Sequence, residues 1–414
     1  MLRSALSLSA LGLVIVLAGC AAAPGAAPGG AADADPTTGD RHGRIEGATE
    51  VSEPPLGLTM VDAEGQIRHL DLLDEQVSNL GSVPPPVQVT GDGRYLFAAD
   101  AQGVTVVDSG RWTWGHVDHF HYYRAEARIL GTVAGDGVAA VATTNSSTTG
   151  GTGVFFPDSG EAVLLDTEAL SEGRVSETFR VEVAPHAGMV VPVGSFALIT
   201  EPAAGSSGGT VAAYDRDGMP VPGLSEECAD PRGTIPTRVG AVIGCADGAV
   251  LATVEAGEVV LERIPYPEGT TAPPATAFAN REGRPTTAAL AGDVGIWLLD
   301  TRQRSWTLLP VSAPLVQATA VDDEAQHVLG LAADGRMVVI DGETGAVLAE
   351  TPPLVTSSLA TGVGAPLLVA DQQRAYLNAP VERRLYEIDF ADGARIAREF
   401  ETPSEPAFMV ETGR

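Results

Sequence analysis

The chain of 414 residues carries 54 acidic and 25 basic side chains, which gives a formal net charge of −29 at pH 7. This charge argues against binding to nucleic-acid phosphates and against membrane attachment through basic patches, and it favours cations over anions as ligands. No His-Glu-x-x-His motif and no glycine-rich phosphate-binding loop before a helix is present. We therefore expect no enzymatic activity.

The first residues have the features of an export signal. Met1-Leu2-Arg3 is a short basic start, Ala5 to Ala18 is an apolar run, and Leu17-Ala18-Gly19-Cys20 resembles a bacterial lipobox. A transmembrane helix is the alternative, but the apolar run is short for a bilayer. We predict a lipoprotein signal peptide at 1–19, and the lipobox implies that Cys20 is lipidated after cleavage.

Residues 20–54 are predicted to be a tether. Alanine, glycine and proline dominate as far as Pro36, and no sustained apolar period follows. A flexible segment of this length spans about 30 Å, which would hold a domain clear of a membrane surface. The remaining residues, 55–414, are predicted to form a single domain.

Short apolar runs that end in an acidic residue recur throughout this domain. They end at Asp62, Asp108, Asp166, Asp215, Glu262, Asp300, Asp341 and Asp389. Their mean spacing of about 47 residues, with strand-like runs between them, is typical of the four-stranded blades of a β-propeller. Helical periodicity is almost absent. The predicted fold is therefore all-β, a β-propeller.

The two ends of the domain predict how the propeller closes. The first unit, Leu56 to Leu73, has only two strand-like runs, whereas an unassigned apolar strand, Pro406 to Glu411, lies at the C-terminus. We expect this strand to pair with the first unit, so that N- and C-terminal strands close the ring and no sheet edge stays open. Eight blades are favoured, and seven are the alternative.

Cysteine usage predicts a disulfide. With Cys20 lipidated, Cys228 and Cys245 remain as a pair in an oxidising compartment outside the cytoplasm. A bond between them would contribute about 3 kcal/mol in the chain-entropy model. A zinc site with histidine is the alternative, but no histidine is near either cysteine in the sequence.

The segment Trp112–Tyr123 is the most unusual in the chain because it holds three of the seven histidines. His119 and His121 are one residue apart and would project to the same side of an extended backbone. His116 and Asp118 are close enough to join them. Imidazoles with a carboxylate form a ligand set that suits zinc, so we predict a metal site here.

A second candidate ligand is His186, just before the apolar run Met189–Val193. This run is predicted to be an innermost strand, which would place His186 near the mouth of the central channel. The histidine-rich segment, however, is predicted to lie between the third and fourth strands of its blade, on the opposite face. His186 joins the site only if that segment folds into the channel.

Several motifs together resemble the AztD-type zinc metallochaperones. In addition to the lipobox and the propeller period, these motifs are Val107-Asp108-Ser109-Gly110-x-Trp112, Asp118-His119-x-His121-Tyr122-Tyr123-Arg124-Ala125-Glu126, Pro185-His186, the Cys228 and Gly244-Cys245-Ala246-Asp247-Gly248 pair, and Val410-Glu411-Thr412-Gly413-Arg414. The resemblance covers nearly all of the chain after the tether. It implies zinc ligands at His119, His121 and His186, with Asp118 as a candidate.

The resemblance also implies a function. Such proteins are extracytoplasmic propellers that pass zinc to the solute-binding protein of a zinc ABC importer. For this chain it implies a lipid-anchored, monomeric metallochaperone on the outer face of the bacterial cell membrane or in the periplasm. The alternative is a metal-free propeller lipoprotein that acts as a binding platform for a protein or glycan, with the aromatic residues of Trp112–Tyr123 as its contact surface.

Overall fold

The structure of the chain is a computed structural model, which describes residues 43–116, 119–202, 209–362, 364 and 366–414. Short β-strands make up most of this part of the chain. The strands in its first half are β1 (Thr49–Val51), β2 (Gly57–Val61), β3 (Gln66–Asp71), β4 (Val77–Ser82), β5 (Gln88–Gly91), β6 (Tyr95–Asp100), β7 (Gly103–Asp108), β8 (Arg111–His116), β9 (His119–Arg124), β10 (Arg128–Ala134), β11 (Ala140–Ala142), β12 (Gly151–Phe156), β13 (Glu161–Asp166), β14 (Glu177–Glu182), β15 (Val190–Val193), β16 (Phe196–Pro202) and β17 (Gly209–Tyr214).

The second half continues the same pattern. Its strands are β18 (Pro220–Glu227), β19 (Arg232–Pro236), β20 (Ala241–Cys245), β21 (Gly248–Glu255), β22 (Glu258–Pro265), β23 (Thr286–Leu290), β24 (Gly295–Asp300), β25 (Ser305–Pro310), β26 (Leu315–Ala320), β27 (His327–Ala332), β28 (Met337–Asp341), β29 (Val347–Glu350), β30 (Leu368–Ala370), β31 (Ala375–Ala379), β32 (Arg384–Asp389), β33 (Arg395–Glu401) and β34 (Phe408–Thr412).

Helices are few and short. They are α1 (Thr167–Ser171), α2 (Thr356–Thr361) and a 3-10 turn at Gly292–Val294. Within the described residues, no helix is long and apolar enough to cross a bilayer. The prediction of an all-β fold is confirmed.

Within the described residues, the strands form seven four-stranded and two three-stranded antiparallel sheets. In chain order, sheet 1 is β34-β2-β3-β4, sheet 2 is β5-β6-β7-β10, sheet 3 is β11 to β14, sheet 4 is β15 to β18, sheet 5 is β19 to β22, sheet 6 is β23 to β25, sheet 7 is β26 to β29, and sheet 8 is β30 to β33. The remaining sheet, β1-β9-β8, is an insertion between the third and fourth strands of sheet 2, where the sequence predicted it.

The recurring aspartates are turn residues. Asp108, Asp166 and Asp341 each end the third strand of their sheet, and each side chain accepts hydrogen bonds from backbone N–H groups two or three residues further on. Aspartate favours turns because its short carboxylate can reach these donors. The repeat in the sequence therefore marks the point where the chain leaves one strand for the next.

Each sheet packs on the next one along the chain, and their facing sides form a series of apolar cores. The last sheet also packs on the first, because Leu58 and Met60 of β2 share a core with Tyr376 and Leu385 of sheet 8. The C-terminal strand β34 pairs with β2 over its whole length, from Gly57 opposite Thr412 to Val61 opposite Phe408. The predicted pairing of the terminal strand is confirmed.

Two further features complete the framework. Cys228 and Cys245 form the predicted disulfide, with Cα atoms 5.1 Å apart and both residues buried. Strand β1 lies inside residues 20–54, the segment predicted to be a tether, and pairs with β9. The segment from Gly43 to Val51 is therefore part of the folded structure around the histidine-rich hairpin.

Candidate metal centre

The histidine-rich segment forms a β-hairpin, β8 and β9. Its register sets Trp114 opposite His121 and His116 opposite His119, and the two connecting residues, 117–118, lie outside the described part of the chain. The aromatic and β-branched residues of these strands favour extended backbone, which explains why the insertion is a hairpin rather than a loop. Phe120 near its tip is 63% exposed.

The base of the hairpin is fixed to sheet 2 by a buried charge pair. Arg94 donates two hydrogen bonds to Asp108, at 3.0 and 2.8 Å, and both side chains are fully buried. The Arg94 guanidinium also lies 3.9 Å from the centroid of the Trp112 ring, which stacks on Tyr123. Burial opposes ionisation of Asp108, but the charge and hydrogen bonds of Arg94 outweigh it and lower the pKa of this carboxyl. These contacts hold the base of the hairpin rigidly against sheet 2.

The C-terminal segment supports the other side of the hairpin. Thr113 of β8 donates its backbone N–H to the carbonyl of Arg414 at 2.8 Å and its hydroxyl to the carbonyl of Gly413 at 2.8 Å. Because β34 lies only two residues earlier, the hairpin is tied to sheet 1 as well as to sheet 2.

The two histidines of β9 bring their ring nitrogens together. Nε2 of His119 lies 3.0 Å from Nε2 of His121, and the rings meet edge to face with centroids 4.8 Å apart. The predicted arrangement, both side chains on one side of an extended strand, is what the structure has. His119 is exposed, so a metal ion has direct access from solvent.

A carboxylate that the sequence does not predict joins this pair of histidines. Oε1 of Glu50, on β1, lies 2.7 Å from Nδ1 of His121. Glu50 is 71 residues away in sequence, in the predicted tether, so no spacing pattern indicates this contact. The only sequence signal is that Thr49-Glu50-Val51 can form an extended strand.

The pair of imidazoles fits zinc. Two nitrogens bound to one tetrahedral zinc at about 2.05 Å would lie about 3.3 Å apart, close to the separation of the two Nε2 atoms. A structural or transport site needs further ligands, and the described residues contain no group of three or more histidine, cysteine or acidic side chains placed to hold a metal. His119 and His121 are therefore two candidate ligands, and the described residues alone do not complete a set.

Other predicted site residues lie outside the described part of the chain. Asp118 is in the hairpin connection, and Cys20 precedes the first described residue. For His116 the backbone is described and lies opposite His119, but its side chain is not. The roles of these residues remain predictions.

The structure does not bring His186 to the hairpin. Its Nδ1 donates to the carbonyl of Ala184 at 2.8 Å, its Nε2 lies 3.0 Å from the hydroxyl of Thr200, and its ring packs edge-on against Phe155. Both ring nitrogens therefore have protein partners. The neighbouring residues Ala187–Met189 line a cavity of about 490 Å³ together with Val138, Ala140, Asp230 and Arg232, while the His186 ring does not line it.

A group of charged side chains lies behind the hairpin, and two of them, Asp92 and Glu411, are buried. Asp92, Glu282 and Arg414 line a cavity of about 190 Å³ together with Thr113–Gly115 of β8. Burial raises the pKa of Asp92 to about 7, and that of Glu411, which pairs with Arg414, also to about 7. The interior behind the hairpin therefore gains negative charge as the pH rises through neutrality.

Comparison with solved structures extends the sequence resemblance. No family model and no curated protein matches the sequence. Two structures of AztD from Citrobacter koseri, one of them the apo form, each superpose with a TM-score of 0.73 and 19% sequence identity. In both cases the match covers 86% of this chain and 97% of the AztD chain. The predicted resemblance is confirmed, and the chain has the fold of AztD.

Proposed function

We propose that this protein is an extracytoplasmic zinc metallochaperone. It binds zinc at the β8–β9 hairpin and passes it to the solute-binding protein of a zinc ABC importer. His119 and His121 supply two ligands, and His116 and Asp118 are the candidates for the others. A lipid on Cys20 anchors the protein to the outer face of the cell membrane.

One observation carries this proposal: two imidazole Nε2 atoms face each other at 3.0 Å on a solvent-exposed strand of an AztD-like fold. Neutral imidazole binds zinc at pH 7 and is displaced by protons at lower pH, so a site of this kind exchanges its metal readily. An exposed hairpin also lets a partner approach the bound ion directly. Catalysis is not part of the proposal.

We further propose that sheets 1 to 8 are the eight blades of a closed propeller. The packing of each sheet on the next, the core shared by sheets 8 and 1, and the β34–β2 pairing support this count. In this arrangement sheet 6 is a three-stranded blade. The hairpin would then project from the third and fourth strands of the second blade.

A zinc titration tests the proposed site. The purified protein, dialysed against zinc-free buffer, should bind zinc stoichiometrically, and His119→Ala with His121→Ala should weaken binding by orders of magnitude. His327→Ala is a matched control, because its Nδ1 already pairs with Asp323 at 2.6 Å. Absence of zinc binding by the unchanged protein, by elemental analysis and by thermal shift, would refute the proposal.

Transfer is tested separately. Zinc-loaded protein mixed with the zinc-free solute-binding protein should deliver its metal faster than it releases zinc to a chelator of equal affinity. Equal rates would mean that zinc passes through solution and that the protein is a buffer.

The alternative function, a metal-free binding platform, is supported by one observation. Phe120 exposes 63% of its surface between the two histidines, which is the position of a contact residue for a protein or glycan. Zinc binding that depends on His119 and His121 favours the metallochaperone, and a hairpin that binds a partner without zinc favours the platform.

A further inference from the structure

We infer that Glu50 positions His121 for zinc, and that the segment 43–51 is therefore a working part of the metal site. This inference rests on the proposed function. It concerns a residue from a different part of the chain, one that the histidine motif does not include.

The hydrogen-bond geometry assigns the tautomer of His121. A carboxylate only accepts hydrogen bonds, so Nδ1 of His121 carries the proton that is donated to Glu50 over 2.7 Å. In a neutral imidazole the other nitrogen, Nε2, then holds a lone pair. That lone pair faces Nε2 of His119, which donates its N–H to it over 3.0 Å.

This is the state that a zinc ligand needs. His121 already presents an unprotonated Nε2, and only His119 has to move its proton to Nδ1 before both nitrogens bind the metal. Histidines that bind metals commonly donate their second N–H to a carboxylate, which fixes the ring orientation and strengthens the ligand. Loss of such a partner typically weakens metal binding by about 10- to 100-fold.

The backbone holds Glu50 in place without help from the metal. β1 pairs with β9 so that Glu50 lies opposite Tyr123 and Val51 opposite Tyr122. Ala48, just before β1, is buried in a small core with Trp112 and Tyr123.

Gly43, at the start of the segment, is also held against the hairpin. The carbonyl of Gly43 accepts a hydrogen bond from Nε1 of Trp112 at 3.1 Å. Gly43 has φ of +73°, and a Cβ there would come within 2.3 Å of the Trp114 ring, so only glycine fits this approach. The segment is therefore anchored at both ends beside the histidines.

Zinc and the segment should consequently stabilise each other. If docking of residues 43–51 favours zinc, zinc must favour docking by the same factor, because the coupling free energy is reciprocal. Zinc binding would therefore slow the undocking of residues 43–51.

The test compares Glu50→Ala and Glu50→Gln with Glu53→Ala in zinc titrations. Glu53 lies two residues after the segment and is exposed, and its replacement removes the same charge. We expect Glu50→Ala to lose 10- to 100-fold in zinc affinity, Glu50→Gln to lose less because its amide oxygen still accepts the bond, and Glu53→Ala to change less than twofold. Equal affinities for Glu50→Ala and the unchanged protein would overturn the inference.

A zinc-free readout separates positioning from general structure. ¹⁵N NMR at pH 8 should show His121 with its proton on Nδ1 in the unchanged protein and without this preference in Glu50→Ala. In a separate experiment, the addition of zinc should slow amide hydrogen exchange at Glu50 and Val51. A proton on Nε2 of His121 in the unchanged protein would also overturn the inference.

The outcomes are distinguishable from failure of the proposed function. If the unchanged protein binds no zinc, the metallochaperone proposal fails first. If zinc binds through His119 and His121 but Glu50→Ala behaves like Glu53→Ala, only the role of Glu50 is lost.

Discussion

Replacing Arg94 with methionine should destabilise the protein strongly and loosen the hairpin that carries the histidines. Methionine keeps the apolar stem but removes the guanidinium that makes two hydrogen bonds to the fully buried Asp108. It also removes the cation above the Trp112 ring. Arg128 would remain 3.0 Å from Asp108, so the carboxylate keeps one partner.

The expected magnitude follows from this geometry. Removing one partner of a buried ion pair costs about 3–5 kcal/mol, since the other charge is left without compensation in the interior. With Arg128 still present, we expect a loss of about 3 kcal/mol, to which the lost cation–π contact adds about 1 kcal/mol. For a domain of this size the midpoint of thermal unfolding should fall by about 5 °C.

Urea unfolding and differential scanning calorimetry measure the loss, with Arg232→Met as the control. Arg232 pairs with Asp230 at 2.8 Å, but both side chains are more than half exposed, so this replacement should change stability little. Adding Asp108→Asn to Arg94→Met should recover part of the lost stability, because it removes the buried negative charge that Arg94 no longer compensates. If Arg94→Met is as stable as Arg232→Met, the pair does not support the hairpin.

Three further predictions concern the disulfide, His186 and Asp92. Replacing Cys228 and Cys245 with alanine should lower the free energy of unfolding by about 3 kcal/mol, because the disulfide closes a loop between residues 17 apart. Zinc affinity should not change. Unaltered urea unfolding would contradict this prediction. His186→Ala should lower stability by about 1–2 kcal/mol through its lost hydrogen bonds and leave zinc affinity unchanged, whereas a large loss of affinity in the titration would return His186 to the metal site. The pKa of Asp92 is about 7 in the folded protein, against an ordinary 3.8. Between pH 4 and 7 the folded protein therefore holds a proton on Asp92 that the unfolded chain lacks. The free energy of unfolding should fall by about 1.4 kcal/mol per pH unit over this range as the pH rises. Asp92→Asn should therefore flatten the decline in unfolding free energy between pH 5 and 7, and equal slopes for the two proteins would show that Asp92 titrates normally.

The architecture was predictable from the sequence because its repeat is a local signal. An aspartate that ends a strand and binds the following N–H groups leaves the same short pattern wherever it occurs. It was harder to predict which strand of each sheet the acidic residue would end. Asp62 directly follows a second strand and Asp300 ends one. Glu262 lies in the fourth strand of its sheet, where Glu255 ends the third. Every strand of an antiparallel sheet ends in a turn, so a turn residue alone does not identify which strand it follows.

Only the part of the site formed by residues close together in the sequence was predictable. His119 and His121 needed no more than the two-residue period of a strand. Glu50 reaches His121 through the β1–β9 pairing, and a contact between residues 71 apart leaves no trace in spacing. His186 failed to meet them for the same reason: where it lies relative to the hairpin depends on the order of whole sheets.

The pairing of β34 with β2 has a consequence for how the chain folds during synthesis. Sheet 1 contains strands from both ends of the domain, so β2 has no partner on one side until residues 408–412 have been made and delivered. The next two residues, Gly413 and Arg414, accept the hydrogen bonds of Thr113 in the hairpin. A chain that stops short would therefore expose a strand edge that invites aggregation or proteolysis, and would also hold its histidines loosely. Support of the hairpin therefore depends on residues 408–414 as well as on the hairpin's own strands.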